Sequence, residues 1–149
     1  MANNTRNSLR ARQERVRAIQ RQHLLSWARE SSQKLVYQAQ RRARISAKIE
    51  TALKASEIIE MALRVYPEER QLHESIAAIG DYVASVRVEY WMELAERAFF
   101  KSHYRKAIDR YQNALFYLDR DKAWGKWRAE TEEQIQRQIQ SLYNRRYRK

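Results

Sequence analysis

Residues 91–114, WMELAERAFFKSHYRKAIDRYQNA, decide the fold because large and small apolar residues recur there at helical spacing. Ala95 and Ala107 are small at points where two helices must approach closely. Trp91 and Tyr111 are large and can fill the space between such helices and their neighbours. The stretch therefore predicts two antiparallel helices joined by a tight turn.

The spacing of these residues matches a known repeat. It is Trp91-x2-Leu94-Ala95-x2-Ala98, then Tyr104-x2-Ala107-x3-Tyr111-x2-Ala114. The pattern resembles one tetratricopeptide (TPR) repeat over residues 88–119, with its turn at Lys101–His103. The resemblance departs from the family at Ala98, where an aromatic residue is usual, and at Asp119, where a proline is usual.

A second, partial match lies upstream. Residues 55–67 carry Ala55, Ile59, Ala62 and Pro67 at the spacing of the second helix of such a repeat. Ala55 and Ala107 are 52 residues apart, so the two matches are not simple tandem units of 34. The resemblance implies that the last helix is a solvating cap. An amphipathic helical bundle without repeats is the alternative.

The whole chain is short of the residues that make turns. It has two glycines and one proline in 149 residues, and it is rich in good helix formers. We therefore predict an all-α fold of long antiparallel helices. Residues 1–66 are expected to form one long basic amphipathic helix, or two nearly collinear ones. Residues 67–149 are expected to form the TPR-like hairpin and the capping helix, in one structural unit.

Helix boundaries follow from Pro67 and from polar runs. The first helix should end near Tyr66, and later helices should cover about 67–100, 104–118 and 122–143, with a frayed tail after them. The sequence leaves open a break at Ser31–Ser32 or at Gly80–Asp81. The apolar stripe Leu9, Val16, Ile19, Leu24 and Trp27 is expected to be buried in a helical seam.

Charge is unevenly distributed along the chain. Net charge is +10 for residues 1–48, −5 for residues 49–100 and +7 for residues 101–149. The basic ends favour anionic partners, or they dock on the acidic middle of the same or another copy. There is no cysteine, no apolar run of about 20 residues and no signal-peptide pattern, so we expect a cytoplasmic protein.

The TPR resemblance also implies a ligand groove along the first helix of the pair. The face opposite its packing residues carries Glu89, Met92, Glu93, Glu96 and Phe99. This face would be acidic with apolar elements, which suits a basic or amphipathic peptide. The alternative is that these glutamates only form a solvated helix face.

Arginines at both ends are the candidate residues for binding an anion or a partner. They are Arg6, Arg10, Arg15, Arg17, Arg21, Arg29, Arg145, Arg146 and Arg148. Nucleic acid, an anionic membrane and an acidic protein surface all fit such residues, and membrane insertion fits the apolar stripe least.

Residue patterns for catalysis, metal binding and cofactor binding are missing from the sequence. The three histidines are scattered, and neither a glycine-rich phosphate loop nor a nucleophile motif can be drawn. We therefore expect a non-enzymatic scaffold or adaptor without a cofactor, which binds a protein or peptide and self-associates as a homo-oligomer. The alternative is an RNA- or ribosome-associated protein that uses its basic ends for non-specific nucleic-acid binding.

Overall fold

The computed structural model describes residues 2–120 and 125–147, and it is helical almost throughout these ranges. The five helices are α1 (Ala2–Arg41), α2 (Ile45–Val65), α3 (Arg70–Phe100), α4 (Tyr104–Arg120) and α5 (Gly125–Tyr147). Each helix packs beside the next one along the chain. The all-α fold predicted from composition is confirmed.

The first 66 residues form two helices that pack side by side, so the prediction of one helix or two collinear helices is wrong. The break lies at residues 42–44, and α1 runs unbroken through Ser31–Ser32. The Lys48 ammonium donates to the Gln40 carbonyl oxygen at 2.9 Å and satisfies a carbonyl left open at the end of α1. No glycine or proline marks the break. The chain turns here although its local helix propensity is high, because the turn lets the alanine-rich faces of α1 and α2 bury each other.

Packing of α1 involves a different face from the predicted apolar stripe. Its buried residues are Ala28, Ser32 and Ala39. At 100° per residue this face lies roughly 130° around the helix from Leu9, Val16 and Trp27. Four residues of the predicted stripe are therefore exposed in the chain, and only Leu24 is half-buried.

The connection between α2 and α3 is a proline turn. As predicted, the helix ends beside Tyr66, where α2 stops at Val65. The Glu69 amide donates to the Tyr66 carbonyl oxygen at 3.2 Å, and Pro67 occupies the second position of this turn, where its fixed φ is favourable. Helix α3 begins at Arg70, slightly later than the predicted restart at Pro67, because Pro67 and Glu68 belong to the turn.

Helix α3 joins two hydrophobic cores. Its first half, with Leu72, Ile79 and Val83, packs in a core shared with α1 and α2. Its second half, from Val88 onward, packs in a core shared with α4 and α5. The helix does not break at Gly80–Asp81, and Gly80 is exposed with no neighbour within 4 Å of an added Cβ.

The hairpin of α3 and α4 matches the predicted boundaries closely. The turn falls at residues 101–103, with Ser102 at a φ of 61°. Ala95 and Ala107 are fully buried in the same core, as their small size requires. Helix α5 continues to Tyr147, beyond the predicted end at about residue 143, and residues 121–124 and 148–149 lie outside the described part of the chain.

Among the described helices, none combines the length and the apolar character that crossing a bilayer would require.

Candidate partner-binding surfaces

The first half of α1 is a helical arm that extends from the packed helices. Every residue from Ala2 to His23 is exposed, and we call residues 2–20 the N-terminal arm. It carries five arginines and one glutamate, a net charge of +4. Nineteen residues at 1.5 Å each give the arm a length of about 28 Å.

The apolar stripe on the arm is open to solvent. Val16 is 48% exposed and Ile19 is 57% exposed, and Leu9 continues the stripe toward the N-terminus. The stripe is narrow, because Arg12 lies on the same face between Ile19 and Val16. A helix that exposes apolar side chains among arginines can dock on a partner.

Five of the predicted N-terminal arginines are exposed, and none of them belongs to an ion pair between described residues. These are Arg6, Arg10, Arg15, Arg17 and Arg29. Arg21 differs, because its guanidinium pairs with the Glu69 carboxylate and lies 5.9 Å from the Tyr66 ring centroid. Arg21 attaches the base of the arm to the turn between α2 and α3, and its predicted contact with an outside anion or partner stays a prediction.

The predicted acidic groove is only partly present. Glu89, Glu93 and Glu96 are exposed on α3, but Met92 and Phe99 pack against the core shared with α4 and α5. These two side chains therefore offer less apolar surface to a ligand than the resemblance implied. The face is mainly a charged one.

The glutamates on α3 interact with neighbouring side chains of the same protein. The Glu93 carboxylate accepts a hydrogen bond from the Arg97 guanidinium at 2.7 Å. Burial raises the pKa of Tyr111, and the Glu96 carboxylate raises it further. Burial and the Glu89 carboxylate raise the pKa of Tyr82 in the same way. These interactions support the alternative that the glutamates form a solvated, structural face.

The C-terminal arginines are divided between structural contacts and solvent. The Arg145 guanidinium lies 4.9 Å from the centroid of the Phe99 ring, so a predicted partner-binding residue covers a predicted groove residue. Arg146 is exposed, and Arg148 lies outside the described residues.

A second amphipathic surface lies on the outer face of α2, and sequence analysis did not identify it. Leu53, Met61 and Val65 are each about half exposed. Three glutamates and two cations are exposed beside them. The α2 outer face consists of these eight residues, on the side of the helix away from the buried Ala55 and Ile59: Leu53, Met61, Val65, Glu50, Glu57, Glu60, Lys54 and Arg64. The four-residue spacing of Leu53, Glu57, Met61 and Val65 was the available signal.

A cleft between α1 and α3 is the third candidate surface, and like the α2 outer face it was not predicted from the sequence. It has a volume of about 280 Å³ and is lined mainly by Val36, Tyr37, Ser75 and Ile79, with Gln33 and Gln40 at its edges. Its lining is uncharged and partly apolar, which suits a small apolar side chain with a polar backbone beside it. The cleft could not be found from the sequence, because it depends on the unpredicted break at residues 42–44.

Comparison with known proteins identifies no relative: neither a family model, nor a curated protein, nor a solved structure matches this chain.

Proposed function

We propose that the chain is a non-enzymatic protein-interaction module whose N-terminal arm docks on the α2 outer face of a second copy. The observation that carries this proposal is the exposed arm, whose apolar side chains Leu9, Val16 and Ile19 have no cover within a single chain. An apolar stripe is stabilised when a partner removes it from water, at about 25 cal/mol per Å² buried.

Charge complementarity favours the α2 outer face as the docking surface. The arm carries a net charge of +4, whereas the α2 outer face carries three glutamates and two cations, a net charge of −1, beside three half-exposed apolar side chains. Pairing two arms with each other would instead bring like charges together, which is unfavourable. At 21 residues, α2 is about 32 Å long, so it can accommodate the arm over its full length.

Each group of residues has a separate role in this interaction. Val16 and Ile19 supply most of the affinity because they are apolar and half exposed before docking. Arg12, on the same face as Val16, and Arg17, at the side of the stripe, set the register and increase the association rate. Arg21 holds the base of the arm on the Glu69 carboxylate, which limits the directions in which the arm can extend.

We also propose that α3 and α4 form a TPR-like pair and that the protein is cytoplasmic. Ala95 and Ala107, both fully buried, support a TPR-like pairing of α3 with α4, in which α5 acts as the cap. The cysteine-free sequence suits a reducing cytoplasm, where we propose that the module works as a scaffold.

Sedimentation equilibrium of the full chain tests the proposed function. Val16→Glu should lower the average mass toward that of one chain, because a carboxylate would enter the apolar contact. Gln13→Glu is the matched control, since it adds the same charge to the arm outside the stripe. An unchanged mass for Val16→Glu, or a monomeric parent protein, would contradict self-docking.

A further inference from the structure

Arginine and aromatic side chains alternate in one cluster on α3 and α4. We call it the ring cluster, and it consists of Arg87, Tyr90, Trp91, Arg110, Phe116, Tyr117 and Arg120. It lies apart from the N-terminal arm, in the half of the molecule that contains α3, α4 and α5.

The rings in this cluster are in mutual contact. Trp91 and Tyr117 stack with an interplanar angle of 12° and a centroid separation of 6.4 Å. Phe116 meets Tyr117 edge to face at 5.4 Å, and Tyr90 meets Trp91 in the same way at 5.3 Å. Trp91 and Tyr117 are partly buried, whereas the outer rings of Phe116 and Tyr90 are exposed.

Each guanidinium in the cluster lies over a ring. The distances to the ring centroids are 5.4 Å for Arg110 over Trp91, 5.9 Å for Arg87 over Tyr117 and 5.6 Å for Arg120 over Phe116. A guanidinium that stacks on a ring keeps the N–H groups at its edge available for hydrogen bonds. Within the described part of the chain, none of these three arginines pairs with a carboxylate.

We infer that the ring cluster is a binding site for a single-stranded polynucleotide. Such a ligand supplies both chemistries that the surface can recognise, because its phosphates pair with guanidinium edges and its bases stack on exposed rings. Phe116, at 58% exposed, is the ring most open to a base. Duplex nucleic acid fits less well, since its bases are already stacked on each other.

The spacing of the arginines sets the size of the site. Arg110 and Arg120 are ten residues apart on α4, or about 15 Å along the helix axis. At about 3.4 Å per phosphate in a stacked strand, this distance covers about four phosphates. Loss of one phosphate contact should lower the slope of log affinity against log salt by about 0.7 for a single strand.

The test is fluorescence anisotropy of the full chain with labelled single strands of about 10 nucleotides, one of RNA and one of DNA. Phe116→Ala should weaken binding to a single strand at least about fivefold, because base stacking on one ring contributes that much or more. The same substitution should leave binding to a duplex of the same length unchanged. Phe116 is exposed, so this variant keeps the fold, and circular dichroism checks that it does.

Arginine variants separate the cluster from general basic charge. Arg110→Ala should weaken single-strand binding and lower the salt slope. Arg110→Lys should restore the slope but not the full affinity, because lysine lacks the planar stacking group. The matched control is Arg105→Ala, which removes the same charge from an exposed position of α4 without removing a ring contact.

Three results would overturn the inference. The first is no binding of either strand by the parent protein. The second is an Arg105→Ala effect as large as that of Arg110→Ala, which would assign the binding to overall charge. The third is an equal effect of Phe116→Ala on a polyglutamate peptide, which would assign the surface to acidic proteins. The measurements with RNA and with DNA show which polynucleotide binds more tightly, and a preference for either one supports the site.

Discussion

The Arg145 guanidinium on α5 lies 4.9 Å from the centroid of the Phe99 ring on α3, so two residues expected to contact partners instead contact each other. The contact joins the last helix to the end of α3, where Phe99 also lies 6.1 Å from the Tyr104 ring. We therefore assign Phe99 and Arg145 a structural role in the core shared by α3, α4 and α5.

We expect this contact to contribute to the stability of the fold. Arg145→Ala should lower the free energy of unfolding by about 0.5–1 kcal/mol, the usual range for a cation near an aromatic face at an exposed site. In a Phe99→Leu background, the same substitution should cost clearly less, because the ring is absent. Urea denaturation of the four proteins in this double-mutant cycle measures the coupling, and equal costs in both backgrounds would contradict it.

Close packing at Ala107 is the second point that a substitution can test. Ala107→Leu should destabilise the protein by roughly 1–3 kcal/mol, because the added carbon atoms enter a filled core. Ala129→Leu on α5 is the control, since that position is exposed and has room for the larger side chain. Thermal unfolding compares the two. A wild-type Tm for Ala107→Leu would rule out the close approach of α3 and α4 that the TPR-like pairing requires.

Tyr111 makes stability depend on alkaline pH. Burial, reinforced by the Glu96 carboxylate, raises its pKa in the folded protein above the ordinary value of 10.0. The folded state therefore holds this proton more tightly than the unfolded state. The resulting stability is present below about pH 10 and is lost as the pH rises through the folded-state pKa.

The corresponding variant is Tyr111→Phe, which should unfold with a weaker dependence on pH above about 10. Part of the dependence should remain, because burial and Glu89 also raise the pKa of Tyr82. Tyr37→Phe, at an exposed position, serves as the control. Chemical denaturation at a series of alkaline pH values gives the slope, and identical slopes for Tyr111→Phe and the parent would show that Tyr111 ionises alike in both states.

Local signals predicted the second half of the fold well. Trp91, Ala95, Ala107 and Tyr111 gave the α3–α4 hairpin, and its turn falls at residues 101–103 as expected. Pro67 marked the end of α2 correctly. Both signals depend on residues close in sequence, whose steric effects act without help from the rest of the chain.

The first half could not be predicted in the same way, because its shape depends on contacts between distant residues. The break at residues 42–44 has no local marker, and it is stabilised by packing of Ala28 and Ala39 against α2. The apolar residues Leu9, Val16 and Ile19 suggested burial, yet a sequence pattern cannot show whether the buried contact lies within one chain or between chains. The ring cluster was missed because it combines residues of α3 and α4 that only the folded protein brings together. The α2 outer face lies on one helix, and its four-residue spacing could have revealed it.

The proposed docking of the arm on the α2 outer face rests on opposite charges, and a charge exchange tests it most directly. One variant carries Arg12→Glu and Arg17→Glu, and the other carries Glu57→Arg and Glu60→Arg. Each alone should associate less than the parent does, because like charges then face each other. A mixture should regain association, because the reversed arm of one variant then faces the reversed outer face of the other, and the unchanged arm faces the unchanged outer face.

Analytical ultracentrifugation of the two charge variants, separately and mixed, is the decisive measurement. We predict a shift toward the mass of a single chain for each variant alone, and a return to the higher mass in the mixture. Variants that keep the parent's mass separately, or a mixture that stays as small as its components, would contradict the account.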